Sequence, residues 1–199
     1  MNRRYSSKVP TSDRGTLVSA PLPVTFAGGS EGEWRVESIA AVRGEALPDA
    51  SHLAVVEGPD SIPATAAWVL RGVSSNERYV TRAEREQLVA KQSALGRAEA
   101  TRAALIPITK SDVWWELSQD ERREIFEERS RHIATGLEYL PAVARRLHHG
   151  RDLGEPFDFL TWFEYAPEDA AGFEELVGRL RETDEWRYVA REVDIRLAR

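Results

Sequence analysis

From residue 103 to the C-terminus the hydrophobic period switches between strand and helix spacing, and this rhythm limits the folds open to the chain. Residues 103–109, AALIPIT, form a short apolar strand. Ser118, with Glu121 three positions on, has capping-box spacing and opens a helix running to about Tyr139, where Pro141 stops it. Residues 142–149 and 157–165 read as two strands joined by the turn-like GRDLGEP. Pro167 starts another helix with Phe173, Leu176, Val177 and Leu180 on one face. Residues 187–197 close as a strand in which Val189, Val193, Ile195 and Leu197 alternate. The order is β-α-β-β-α-β.

The first half is richer in strands. Residues 24–27 and 34–42 are β-like runs separated by GGSEG, and 52–56 is a third. Residues 64–73, ATAAWVLRGV, fit strand or helix by composition; their bulk and the following SSNERY turn favour strand. Thr81 and Glu84 repeat the capping-box spacing at the start of a helix, TRAEREQLVAKQ, and 95–101 read as a linker. Residues 1–20 predict a short disordered leader without the apolar segment of a secretory signal, so a cytoplasmic protein is expected. The fold class predicted is α+β, a ferredoxin-like, dimeric α+β barrel. It has a complete C-terminal half over 101–199 and a shortened N-terminal half over 21–100.

Composition narrows the chemistry. The 199 residues are 42% hydrophobic and 30% charged, which places them among globular chains able to bury a core. A net charge of −6, with arginines interleaved among glutamates, argues against a nucleic-acid partner but leaves room for a small anion at one arginine. No run approaches the roughly eighteen consecutive apolar residues of a membrane helix, so no membrane partner is expected. The absence of cysteine excludes disulfides, thiolate metal sites and covalent haem attachment through C-x-x-C-H. Since the only methionine is Met1, any haem would be non-covalent and ligated by histidine or tyrosine. Phosphate-loop, nucleophile-elbow, zinc-protease and dinucleotide motifs are missing.

The segment KSDVWWELSQDERREIFEERSRHIATGLEYLPAVAR, residues 110–145, gathers the residues that could carry chemistry. On its helix Ile125, His132, Gly136 and Leu140 share a stripe flanked by Phe126, Ile133 and Leu137, while Glu124, Glu127, Glu128 and Arg131 face solvent. His132 is therefore either a haem ligand or a hydrogen-bonded core histidine. Trp114 and Trp115 suit a porphyrin edge or a core anchor. Arg145 lies between Val143 and Leu147 on one strand face, an unusual place for a guanidinium unless it meets a carboxylate or a cavity; Arg146 is its solvated twin. Glu185 could accept the second ring N–H of a ligating histidine or be part of a solvated acidic helix end. His148 and His149 face opposite sides of a strand, so they cannot chelate one ion and read, like His52, as structural or surface residues.

Taken in order, Lys110, Trp114–Trp115, His132, Arg145 and Glu185 give the chain a resemblance to the chlorite dismutase family, over most of residues 20–199. The resemblance implies a haem b enzyme that converts chlorite to chloride and dioxygen. On it, His132 is the proximal iron ligand and Glu185 its hydrogen-bond partner. Arg145 captures chlorite on the distal side and retains a hypochlorite-like fragment, steadied by Gln92. Lys110 pairs with a haem propionate, Trp114 and Trp115 border the porphyrin, and Tyr79 offers a further propionate contact. The length is similar to that of the short-chain branch, which forms homodimers; the related coproheme decarboxylases lack the distal arginine. Two other readings remain open at this point: a peroxidase or haem-handling protein, and a non-enzymatic ferredoxin-like dimer in which His132 is merely buried.

Overall fold

Alternation of inward and outward side chains closes the eight strands on one another. The computed structural model describes residues 23–58, 62–74 and 79–199; the leader expected over 1–20 and most of the turn expected over 74–79 lie outside the described residues. The strands are β1 (Pro23–Gly29), β2 (Trp34–Arg43), β3 (His52–Glu57), β4 (Ala66–Ser74), β5 (Arg102–Lys110), β6 (Ala144–His149), β7 (Phe159–Tyr165) and β8 (Val189–Ala198). They form a closed barrel in the order β1-β3-β2-β8-β5-β7-β6-β4. Two seams are narrow: β2 meets β3, and β4 meets β6, through two residue pairs each.

Within the barrel, β8-β5-β7-β6 has the fourth-first-third-second strand order of a ferredoxin-like unit. The run β4-β1-β3-β2 repeats that order. The difference lies in the connections. In the C-terminal half the crossovers carry helices, among them α5 (Ala170–Arg181), whereas no helix occurs among the described residues linking β1 to β2 or β3 to β4. The N-terminal half keeps one helix, α1 (Arg82–Lys91), after β4, and the expected Thr81–Glu84 capping box is formed.

Period-two alternation decides which side chains fill the barrel. Phe26, Leu53, Leu70, Leu105, Leu160, Trp162, Val193 and Ile195 point inward and form its core. Their neighbours Ala104, Ile106 and Phe163 point outward and pack under Phe173, Leu176, Val177 and Leu180 of α5. Among the described residues, no helix is long and apolar enough to cross a membrane.

The single long helix predicted after Ser118 is not formed. The capping box at Ser118 is present, but the segment is broken into α2 (Asp112–Glu116), α3 (Gln119–Arg123), a π-helical turn (Glu124–Arg129) and α4 (His132–Glu138). Arg131 takes a left-handed conformation with φ of 51°, which an L-residue adopts only when its surroundings hold it there. Glu127, expected in solvent, turns back so that its carboxylate accepts the backbone N–H groups of Ile133 and Ala134 at 2.6 and 3.2 Å. It thereby satisfies donors that the break exposes. His132 consequently begins a helix rather than lying in the middle of one.

His148 is buried inside the barrel, with its ring edge-on to Phe26 at 5.3 Å and Nδ1 3.3 Å from the Leu160 carbonyl. Burial lowers its pKa from 6.5 to about 4. The unfolded chain therefore binds a proton that the folded one refuses as pH falls through that window, so stability is lost between pH 6.5 and about 4. The contribution is roughly 3 kcal/mol. Denaturant titrations at several pH values should show this loss for the parent and a flatter profile for His148→Phe; equal slopes would assign the loss to other groups.

Candidate functional site

The outward faces of β5, β6 and β7 make the floor of the site. Cross-strand pairing sets Leu147 beside Thr161 and Arg145 beside Phe163, and Ile106 beside Thr161. α4 lies over this floor. Three adjoining hollows all touch His132 and Thr161. One opens toward α1 and holds Gln92 and Arg145. A second opens toward α2 and holds Tyr79, Lys110 and Trp114. The third reaches under α5, where Ile106, Phe163, Val177 and Leu180 line it together with Glu192.

His132 is held from behind. Its Nδ1 lies 2.7 Å from Glu185 Oε2, and its ring stacks on Phe126 at 4.4 Å. The second carboxylate oxygen, Glu185 Oε1, accepts Lys110 Nζ at 2.5 Å, while the Glu185 backbone N–H donates to Ser130 Oγ at 3.0 Å. Burial alone would raise the Glu185 pKa; the Lys110 ammonium and His132 outweigh it and hold the carboxyl at about 2. An ionised Glu185 accepts a proton only from Nδ1–H, which leaves the Nε2 lone pair free for a metal.

Lys110 departs from the propionate contact implied by the resemblance. Its side chain is 3% exposed, committed to Glu185, and its ammonium sits 4.7 Å from the Trp114 ring centre. It strengthens the histidine's partner instead of reaching outward. Glu185→Ala should therefore cost roughly 3–5 kcal/mol by leaving a buried ammonium unpaired, whereas Glu185→Leu combined with Lys110→Met should recover most of it. Chemical denaturation of the two variants measures this, and equal losses would show that the pair's charges do not matter.

Arg145 is half-buried, and among the described residues its guanidinium has no hydrogen bond or ion pair. Its planar end lies against Gly136 of α4, where an added Cβ would come within 2.6 Å of Nη1. Burial lowers its pKa, with the charge of Glu127 acting the other way, and a guanidinium remains charged at any working pH. Gln92 donates from Nε2 to the Arg145 backbone carbonyl at 2.6 Å, so it steadies the strand rather than the guanidinium. Arg146 points to the opposite side of β6, into a separate hollow, 3.9 Å from Glu57.

The two tryptophans separate. Trp114 is 1% exposed and lines the hollow beside α2, against Tyr79 and Tyr188. Trp115 lines none of the three hollows; its Nε1 donates to Asp158 at 3.2 Å, and Arg122 and Arg151 lie over its ring. Tyr79 adopts φ of 65°, and its hydroxyl and Trp114 Nε1 are buried without a partner among the described residues. His149, read from sequence as structural or surface, is buried beside Phe159 and lines that same hollow. His52 stays remote, next to Ser51. Sequence reasoning missed Thr161, Trp186, Ser130 and Glu192; only Thr161 had a signal, through alternation along β7 with Phe159 and Phe163.

These residues fit a haem. A planar group needs a flat apolar slot, a histidine nitrogen and donors for its carboxylates. Val80, Leu88, Phe126, Ile133 and Leu147 give the hollow beside His132 its apolar walls, and the orphaned Tyr79 and Trp114 donors supply the last requirement. A family model described as chlorite dismutase matches residues 63–199. The chain belongs to the chlorite dismutase family. It is 62% identical to the dimeric chlorite dismutase of Nitrobacter winogradskyi, whose crystal structure matches with a TM-score of 0.82 over 88% of this chain and 99% of that one. The chlorite dismutase of Candidatus Nitrospira defluvii bound to imidazole shares the fold, with a TM-score of 0.66, 23% identity and coverage of 92% and 93%. A chlorite dismutase of Ideonella dechloratans is 33% identical over 89 residues, 45% of this chain and 29% of the relative's own length.

Proposed function

We propose that the protein is a haem b-dependent chlorite dismutase, which converts chlorite to chloride and dioxygen, and that it works as a homodimer. The observation that carries this reading is the meeting, in one hollow, of a carboxylate-backed His132 and an Arg145 without a counter-ion among the described residues. Similarity to the dimeric Nitrobacter enzyme supports both the activity and the assembly. The repeated strand order supports taking residues 21–100 and 101–199 as a shortened and a complete copy of one unit.

The residues divide the labour. Haem, when bound, supplies the redox chemistry that splits chlorite and joins its two oxygens. His132 would hold the iron through Nε2, and Glu185, fixed by Lys110, raises the basicity of the ring. Arg145 draws the chlorite anion into a cavity otherwise lined by Leu147, Thr161 and Val80, and keeps the hypochlorite-like fragment from leaving. Gln92 fixes the backbone from which Arg145 projects. Tyr79 and Trp114 would donate to the porphyrin carboxylates. Water is kept out by Phe126 and Trp186.

Haemin titration followed by chlorite addition in an oxygen electrode tests the reading. The expected outcome is saturation at one haem per chain and steady dioxygen release that depends on haem. Haem uptake with peroxide-driven dye oxidation but no dioxygen from chlorite would make the protein a peroxidase instead.

A further inference from the structure

We propose that the barrel interior holds a second ligand site, separate from the hollows around His132, that takes an organic ammonium ion: a protonated primary amine on a small apolar or aromatic body. Alternation along two strands creates it. Arg146 and His148 of β6, with Trp162 and Glu164 of β7, line a hollow inside the barrel beneath residues 94–96. Their neighbours Arg145, Leu147, Thr161 and Phe163 line the hollows on the outer face. The inner hollow shares no lining residue with the three outer ones. The inference therefore stands apart from the haem reading.

Two buried acceptors in this hollow lack what they need. Glu164 is 5% exposed and accepts only neutral donors, Trp162 Nε1 at 2.9 Å and the Gly96 backbone N–H at 2.6 Å. No cation pairs with it among the described residues. A buried carboxylate without a counter-ion is costly, and each of its oxygens keeps a lone pair to spare. His148 donates Nδ1–H to the Leu160 carbonyl, which leaves the Nε2 lone pair without a partner among the described residues. With a pKa of about 4 the ring is neutral near pH 7, so Nε2 can only accept. The other charged groups here are Glu33, Glu57 and Arg146. Arg146 lies 3.9 Å from Glu57, and Glu33 accepts Trp34 Nε1 at 2.7 Å. Three carboxylates thus share one guanidinium, and that guanidinium is directed at Glu57. An ammonium group supplies the missing charge together with three N–H donors. Val24, Phe26, Val55 and Leu95 offer apolar walls for its body, and the Trp162 ring offers a face for the cation.

Calorimetric titration of the full chain near pH 7 with phenethylammonium, phenethyl alcohol and phenylacetate tests this, since the three probes share a body and differ in charge. The parent should bind one ammonium per chain at least about tenfold more tightly than the alcohol, and no phenylacetate. In haemin-treated protein the Soret band should stay unchanged as the ammonium binds. Glu164→Gln should weaken the ammonium about tenfold or more while leaving the alcohol as it was. His148→Phe, which removes one acceptor, should weaken it about threefold or more. Arg146→Ala, at a half-exposed position, removes the competing cation and should tighten it, whereas Arg145→Ala should change nothing. If Glu164→Gln does not fold, His148→Phe and Arg146→Ala decide the matter by their opposite directions. The site is overturned if the parent shows no saturable ammonium binding, or binds the alcohol equally well. It is also overturned if these inner variants leave the affinity unchanged, or if a shifted Soret band places the amine on the iron.

Discussion

His132→Ala is expected to lose the Soret band of the reconstituted protein, with haem affinity reduced by more than about a hundredfold. The magnitude follows from the absence of any substitute. The chain has no cysteine, its only methionine is Met1, and of the other histidines only His149 lines the cavity. His149 sits on the β6 floor with its ring edge-on to Phe159, while Glu185 stands behind His132. His148→Ala, altering the barrel interior, should leave the spectrum unchanged. A surviving Soret band in His132→Ala, together with its loss in His149→Ala, would move the ligand to the other side of the cavity.

Arg145→Ala separates binding of haem from chemistry upon it. Haem content should survive, because the Lys110–Glu185–His132 chain does not involve Arg145. Anion capture should fall about ten- to a hundredfold, given about 1.5–3 kcal/mol for a hydrogen bond to a charged group. Turnover should slow, haem should bleach sooner, and a hypochlorite scavenger should intercept more of the released fragment. Arg145→Lys should recover only part of this, since an ammonium lacks the planar fork. Arg146→Ala, which alters the separate hollow near Glu57, should behave like the parent. Damage in Arg146→Ala with a normal Arg145→Ala would reverse the assignment.

The strands and their order were legible because alternation is local: Leu105 and Ile106, or Trp162 and Phe163, report their opposite faces directly. Both capping boxes were legible for the same reason, each needing only residues three apart. The break at Arg131 was not, since it depends on Glu127 folding back and on Ser130 meeting the backbone of Glu185, far away in sequence. Period counting treated the segment as one α-helix, and the π-turn shifts the register that such counting assumes. His132, Arg145 and Glu185 were singled out because the order of residue types resembled that of a family. The partner of Lys110 was misplaced because the identity of a lysine says nothing of the direction its chain takes, and burial beside Trp114 turned it inward. Glu192 left no trace at all: an acidic residue in an alternating strand reads as solvent-facing, and only α5 laid across β8 buries it.

On the proposed function, both oxygens of chlorite are joined at a cavity where His132 would hold haem and Arg145 would retain the departing fragment. Chlorite labelled with heavy oxygen, given to the haem-reconstituted protein in ordinary water, tests it most directly by mass analysis of the evolved gas. The dioxygen should carry both atoms from chlorite, in step with chloride formation, with a lower yield from Arg145→Ala. Dioxygen containing an atom from water, or chlorite consumed without dioxygen, would contradict it.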